Sequence, residues 1–186
     1  MKQHMFEFLS KILQTPHNVI AHDDIAADRA DVDALSKELQ AKVRRLFKGS
    51  LAIRLVDAGS DNAVEQELAA LTNAYYDMER FGIHFVASPR HADMLMVTGP
   101  VTRNMVEALK RAYEAIPTPK LVVAVGDDAI DGGIYKGSYA VMDGVHSVIP
   151  VDYQIPGDPP SALTILRSLL QILDEPVVAE DKKAYK

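Results

Sequence analysis

From Leu51 onward, short apolar runs alternate with amphipathic stretches. Leu51–Val56, Met94–Val97, Leu121–Val125 and Val148–Val151 are each short and almost wholly apolar, which predicts buried strands, and Ile83–Val86 offers a shorter one. Between them, Val64, Leu68, Leu71, Tyr75 and Met78 fall on one helical face. Met105, Leu109, Ala112 and Ile116 form a second face, halted by Pro117 and Pro119, and Leu163, Leu166, Leu169, Leu170 and Leu173 form a third. Strands alternating with helices predict an α/β domain: a mostly parallel sheet with helices on both faces. Ligands of such sheets bind beyond the carboxyl ends of the strands.

Ahead of Leu51 two stretches have a helical period. Met5, Phe8, Leu9, Ile12 and Leu13 predict a short amphipathic helix ending near Pro16. Such a helix either folds back on the domain or serves as a foot for a partner subunit or membrane surface, with Phe6 and Phe8 among its contact residues. His17 to Arg29 is polar and is expected to be linker. Val32, Leu35, Leu39, Val43 and Leu46 mark a second helix, capped by Asp31 and stopped by Gly49. The expected organisation is a helical extension over residues 1–50, an α/β domain over 51–175 and a polar tail over 176–186.

With 186 residues, 48% of them hydrophobic and 25% charged, the chain has the composition of one globular domain with its own core. A formal charge of -6 argues against nucleic acid as a partner, because phosphate binding needs a basic face. No apolar run is long enough to predict a transmembrane helix. The N-terminus shows no apolar region followed by a cleavage site, so the cytoplasm is the expected location. The chain contains no cysteine, which excludes disulfides, thiolate catalysis and all-thiolate metal sites.

That absence has a particular setting. Three segments stand out: Val56-Asp57-Ala58-Gly59-Ser60-Asp61-Asn62-Ala63-Val64-Glu65, Val125-Gly126-Asp127-Asp128-Ala129-Ile130-Asp131-Gly132-Gly133, and Ile155-Pro156-Gly157-Asp158-Pro159-Pro160. A fourth, Phe85-Val86-Ala87-Ser88-Pro89-Arg90-His91-Ala92-Asp93, accompanies them. Together they resemble the small electron-transfer subunit of respiratory complex I and of the membrane-bound nickel–iron hydrogenases, most of all the formate hydrogenlyase type. The resemblance spans about Leu51 to Leu173 and implies a flavodoxin-like fold. In that family four cysteines hold a [4Fe–4S] cluster, and the matching positions here are Asp61, Val64, Asp128 and Asp158. Carboxylate is a harder and weaker match to an iron–sulfide core than thiolate, and Val64 offers no donor. No cofactor is therefore expected. The alternatives are an atypical [4Fe–4S] cluster, or a divalent cation on Asp61, Asp128 and Asp158, since oxygen donors suit Mg²⁺ or Ca²⁺.

Local structure offers each aspartate another role. Asn62 to Glu65 reads as a variant capping box that sets Asp61 beside a helix N-terminus. Asp158 precedes Pro159 and reads as an N-cap, and Asp128 lies in a turn-rich Asp/Gly segment. If the family fold is kept, the three carboxylates must nevertheless converge, with a cation, water or a salt bridge among them. The fourth segment resembles the family's motif near the interface with the large subunit. Arg90 there either pairs across that interface or holds Asp93 within its own loop.

Other chemistry is less well supported. Gly126 to Gly133 lacks both the dinucleotide fingerprint and a P-loop Lys-Ser/Thr, and its acids would repel phosphate. His84, His91 and His146 show no metal-ligand spacing, and no serine has the Gly-x-Ser-x-Gly setting. The leading expectation is a cluster-free, redox-inactive paralogue that docks on a large hydrogenase-like or complex I-like subunit, at the inner membrane face through its partners. The alternatives are an electron-transfer subunit with an atypical cluster, and a carboxylate-lined binder of a metal or small molecule.

Overall fold

A computed structural model describes residues 22–174. The predicted helix over Met5–Leu13, with Phe6 and Phe8, and the tail over 176–186 lie outside the described residues.

Five strands, β1 (Leu51–Asp57), β2 (Ile83–Phe85), β3 (Met94–Thr98), β4 (Leu121–Val125) and β5 (Tyr153–Ile155), form one sheet in the order β2-β1-β3-β4-β5. All four neighbouring pairs are parallel. This is the flavodoxin-like order, in which the direction of winding reverses between β1 and β3. The helices are α1 (His22–Phe47), α2 (Ala63–Ala70), α3 (Val106–Ala115), α4 (Asp127–Asp131) and α5 (Ala162–Asp174).

Alternation along the strands sends side chains to two cores. Ile53, Met94, Met96, Val123 and Val125 meet Val64 and Leu68 of α2, Leu166 and Leu169 of α5, and Leu39 and Val43 of α1. Leu95, Val97, Val122 and Ala124 meet Leu109 of α3 and Ala129 of α4 on the other face. Both faces are therefore covered by helices, which is why the strands read as continuous apolar runs.

The structure corrects four local expectations. The residues from His22 to Arg29 are helical rather than linker, so Asp31 lies inside α1 and caps nothing. Alanines and a pair of aspartates near the helix start favour that extension. Helix α2 stops at Ala70, although Leu71 and Met78 remain buried. There the Asn73 side chain accepts hydrogen bonds from the Tyr75 and Tyr76 N–H groups, a local turn that competes with helix.

Val148–Val151 is not a strand. Pro150 denies that run a ladder donor, a tight turn occupies Val145–Ser147, and Ile149 fills the second core from a loop. The fifth strand is Tyr153–Ile155, entered from Asp152, whose carboxylate accepts the Val122 N–H at 2.8 Å. Lastly, Asp158 is not the N-cap of α5, which begins only at Ala162. Asp158 and Pro159 each precede a proline and are held away from helical dihedrals, so the helix waits for Ser161. Ser161 Oγ accepts the Thr164 N–H, and Glu67 reaches across to accept the Ala162 N–H at 2.8 Å.

Candidate functional site

The three singled-out segments leave the carboxyl ends of β1, β4 and β5. At the first, Asp57 Oδ1 accepts the N–H groups of Gly59 and Ser60, each at 2.8 Å, and turns the chain off the strand. Asp61 Oδ1 then accepts the Ala63 N–H at 2.9 Å, satisfying a free donor at the start of α2 as expected. Its carboxylate is exposed, whereas Val64, one turn on, is buried in the first core.

At the second segment Gly126 adopts φ 91° and ψ 153°, a conformation open only to glycine. A Cβ there would meet Val64 Cγ2 at 2.8 Å, so the first segment packs directly on the second. The third is tied to the second by backbone. The Gly126 N–H donates to the Ile155 carbonyl at 2.8 Å and the Asp127 N–H to the Gly157 carbonyl at 3.0 Å. In return the Gly157 N–H donates to Asp127 Oδ1 at 2.9 Å.

Asp128 follows at the start of α4, half-buried, with its carboxylate packed against Gly133, where a Cβ would collide with Oδ1. Burial pushes its carboxyl above the usual value, and the charges of Asp158 and then Asp61 push the same way. The structure thus brings the three aspartates into one electrostatic neighbourhood, with Asp61 and Asp158 exposed at its rim. Among the described residues none of the three is in an ion pair.

Glu65 was expected to complete a capping box with Asn62. Instead Asn62 makes no side-chain cap bond, and Glu65 takes another route. One carboxylate oxygen accepts the Ser60 hydroxyl at 2.6 Å and the other accepts the fully buried Thr98 hydroxyl at the end of β3. Glu65 therefore stitches together the loops leaving β1 and β3, at the point where the winding reverses. Ser60, Thr98 and Asp127 are site residues to which sequence reasoning gave no role, and Glu65 is one to which it gave a different role. Thr98, a hydroxyl closing an otherwise apolar run, was the signal for part of it.

The fourth segment begins beside Glu65, where Phe85, Val86 and Ala87 line a shared cavity, and runs to the other end of the sheet. Asp93 immediately precedes β3, at the amino edge of the sheet and so at the opposite end from the three aspartates. Its Oδ2 accepts the Ala52 N–H at 3.0 Å, extending the ladder, and it forms no ion pair with Arg90 among the described residues. Arg90 is exposed and forms no ion pair among the described residues.

The donor set does not fit a [4Fe–4S] cluster. Asp61, Val64, Asp128 and Asp158 supply three carboxylates, an isopropyl group and no thiolate, and the isopropyl group is packed into the core. Nor do any three His, Asp or Glu side chains among the described residues form a group able to hold one metal ion.

A five-stranded parallel sheet in flavodoxin-like order, with glycine-bearing loops joined at its carboxyl edge, defines an α/β protein whose site is built from strand exits. The chain belongs to the family described as NADH ubiquinone oxidoreductase, 20 Kd subunit, matched over residues 62–172. It is 41% identical to an NADH-quinone oxidoreductase subunit of Bacteroides thetaiotaomicron, over 78% of this chain and 79% of that one. It is 39% identical to formate hydrogenlyase subunit 7 of Escherichia coli, over 73% of this chain and 53% of the relative. Among solved structures, a chain of the membrane-bound sulfane sulfur reductase, an archaeal respiratory membrane complex, superposes with a TM-score of 0.60. The two are 34% identical, and the match covers 67% of this chain and 69% of that chain. Among the described residues, no helix is long and apolar enough to cross a membrane.

Proposed function

We propose that this chain is a cluster-free docking subunit of a complex I-like or membrane-hydrogenase-like assembly, seated against a large hydrogenase-like subunit. It works on the cytoplasmic side, held at the inner membrane face by its partners. One observation carries this reading: the family's three loop segments are still tied together at the carboxyl edge, yet none of the four ligand positions bears a thiolate. A chain that had lost both partner and cluster would have no use for such an edge. A chain that carried electrons would need an iron–sulfur donor set there. Phe6, Phe8, Arg90 and Asp93 are assigned to subunit contacts, and Arg90, exposed and in no ion pair among the described residues, supplies the charge.

The test is affinity purification of the tagged full chain from its native host under gentle detergent. A large hydrogenase-like subunit comes down with the unchanged chain, and Arg90→Glu weakens its retention. A chain that runs alone, with no effect of that change, refutes the docked-subunit reading and leaves a free-standing carboxylate-lined binder in its place.

A further inference from the structure

Arg54 is the one basic residue of β1 and interrupts an otherwise apolar run. Strand β2 ends opposite Ile53, so from Arg54 onward β1 is bordered on that side by Val86 and Ala87 of a loop. A cavity of about 390 Å³ opens at this break, between β1, the loop after β2 and helix α2. That volume lies in the range of small-ligand sites. Leu55, Leu68, Phe85 and Val86 give it apolar walls, and Arg54 and Glu65 give it charged ones.

Among the described residues Arg54 makes a single hydrogen bond, from Nη1–H to the Ala87 carbonyl at 2.7 Å. Its Nε–H is buried and has no acceptor there. A guanidinium is planar, and its Nε–H runs parallel to an Nη2–H on the edge away from Nη1. That second edge matches the two oxygens of a carboxylate, while the Nη1 side is committed to the loop. A buried donor without an acceptor is costly, and more so on a charged group, so an oxygen placed here relieves a standing penalty. Solvent does not reach Nε, so the oxygen arrives with a small shift of the wall. Glu65 does not serve as the partner. No ion pair joins it to Arg54 among the described residues, and its two oxygens hold the hydroxyls of Ser60 and Thr98.

We infer that this cavity binds a small monocarboxylate with an apolar tail. The carboxylate takes the Nε and Nη2 donors of Arg54, and the tail lies on Leu55, Leu68, Phe85 and Val86. Glu65 limits the charge: a dianion such as phosphate would bring a second negative charge toward a carboxylate already in the wall. This inference goes beyond the docked-subunit reading and does not depend on it.

The test follows the Arg54 Nε–H resonance of the isotope-labelled full chain by NMR while sodium hexanoate is added at neutral pH. The resonance is identified by its loss in Arg54→Lys. The expected result is a saturable downfield shift of that proton, the mark of a new charge-assisted hydrogen bond. Hexanol, with the same tail and no carboxylate, and inorganic phosphate should each bind at least about tenfold more weakly. Arg54→Lys keeps the charge and a donor for the Ala87 carbonyl but lacks the paired donors. It should lose hexanoate affinity by a similar factor, read from the Val86 and Ala87 amide signals. Ala69→Leu, at an exposed position of α2 on the cavity rim, should weaken binding while leaving the Arg54 resonance in place. Amide spectra unchanged away from the cavity show that both variants fold as the original does. No movement of the Arg54 Nε–H with millimolar hexanoate overturns the inference. Equal binding of hexanol or phosphate, or undiminished binding by either variant, overturns it as well.

Discussion

Asp127 and Gly157 hold each other by two reciprocal hydrogen bonds, the Asp127 N–H to the Gly157 carbonyl and the Gly157 N–H to Asp127 Oδ1. This pair fixes the loop after β4 to the loop after β5 and sets Asp128 and Asp158, each the next residue along, in a common neighbourhood. It is the backbone clamp of the site.

Asp127→Ala leaves the Gly157 N–H without its acceptor and should cost about 1–2 kcal/mol, while Asp127→Asn, which keeps an acceptor oxygen, should cost less. Urea denaturation of the three proteins measures this. An alanine variant as stable as the unchanged chain would show that the pair clamps nothing.

Gly126 and Val64 are coupled by space. Gly126→Ala forces a Cβ to 2.8 Å from Val64 Cγ2 at φ 91°, and should cost at least about 2 kcal/mol. Val64→Ala opens a cavity in the first core at a cost of similar order. The double variant should lose less than the sum, because the smaller side chain at 64 makes room for the new Cβ. Simple additivity in a double-mutant cycle would show that the close approach is not what demands glycine.

Asp128 should make stability depend on pH. Its carboxyl is raised from 3.8 by burial, then by the charges of Asp158 and Asp61, so the folded state binds a proton that the unfolded state has already released. Above the folded value the ionised group opposes folding. As pH falls through that value towards 3.8 the penalty is relieved. Asp128→Asn, which keeps the size of the side chain and removes its charge, should therefore be more stable than the unchanged chain at neutral pH, with the gap closing on acidification. Denaturation midpoints across the acidic range test the sign, and a variant that is less stable at neutral pH would contradict it.

Glu65 binds two hydroxyls, of which Thr98 is fully buried. Glu65→Ala strands that hydroxyl and should cost about 1–3 kcal/mol. Thr98→Val should cost less, because Glu65 keeps Ser60. Chemical denaturation giving the reverse order would mean that Thr98 depends on some group other than Glu65.

The strands that pack on both faces were legible because each is a continuous apolar run: Leu51 to Val56, Met94 to Val97 and Leu121 to Val125. The fifth strand was not, because Tyr153-Gln154-Ile155 is short and mixed, while the neighbouring Val148–Val151 imitates a strand and is spoiled by Pro150. At the site, the resemblance of three segments to a known family is what named Asp61, Val64, Asp128 and Asp158. The partners that hold their edge were hidden. Asp127 with Gly157 joins residues 30 apart and Glu65 with Thr98 joins residues 33 apart, and local spacing carries no trace of such pairings. For the same reason Glu65 passed for a cap and Asp158 for the start of a helix.

That this family member carries no cluster is tested most directly by iron and acid-labile sulfide analysis of the full chain, purified anaerobically and freed of any co-purifying subunit. The expected result is neither element in stoichiometric amount, no broad visible absorbance, and no cluster signal in electron paramagnetic resonance after reduction. Iron and sulfide together at about four atoms each per chain, the content of the family's [4Fe–4S] cluster, would contradict it and make the chain an electron carrier with a carboxylate-bound cluster.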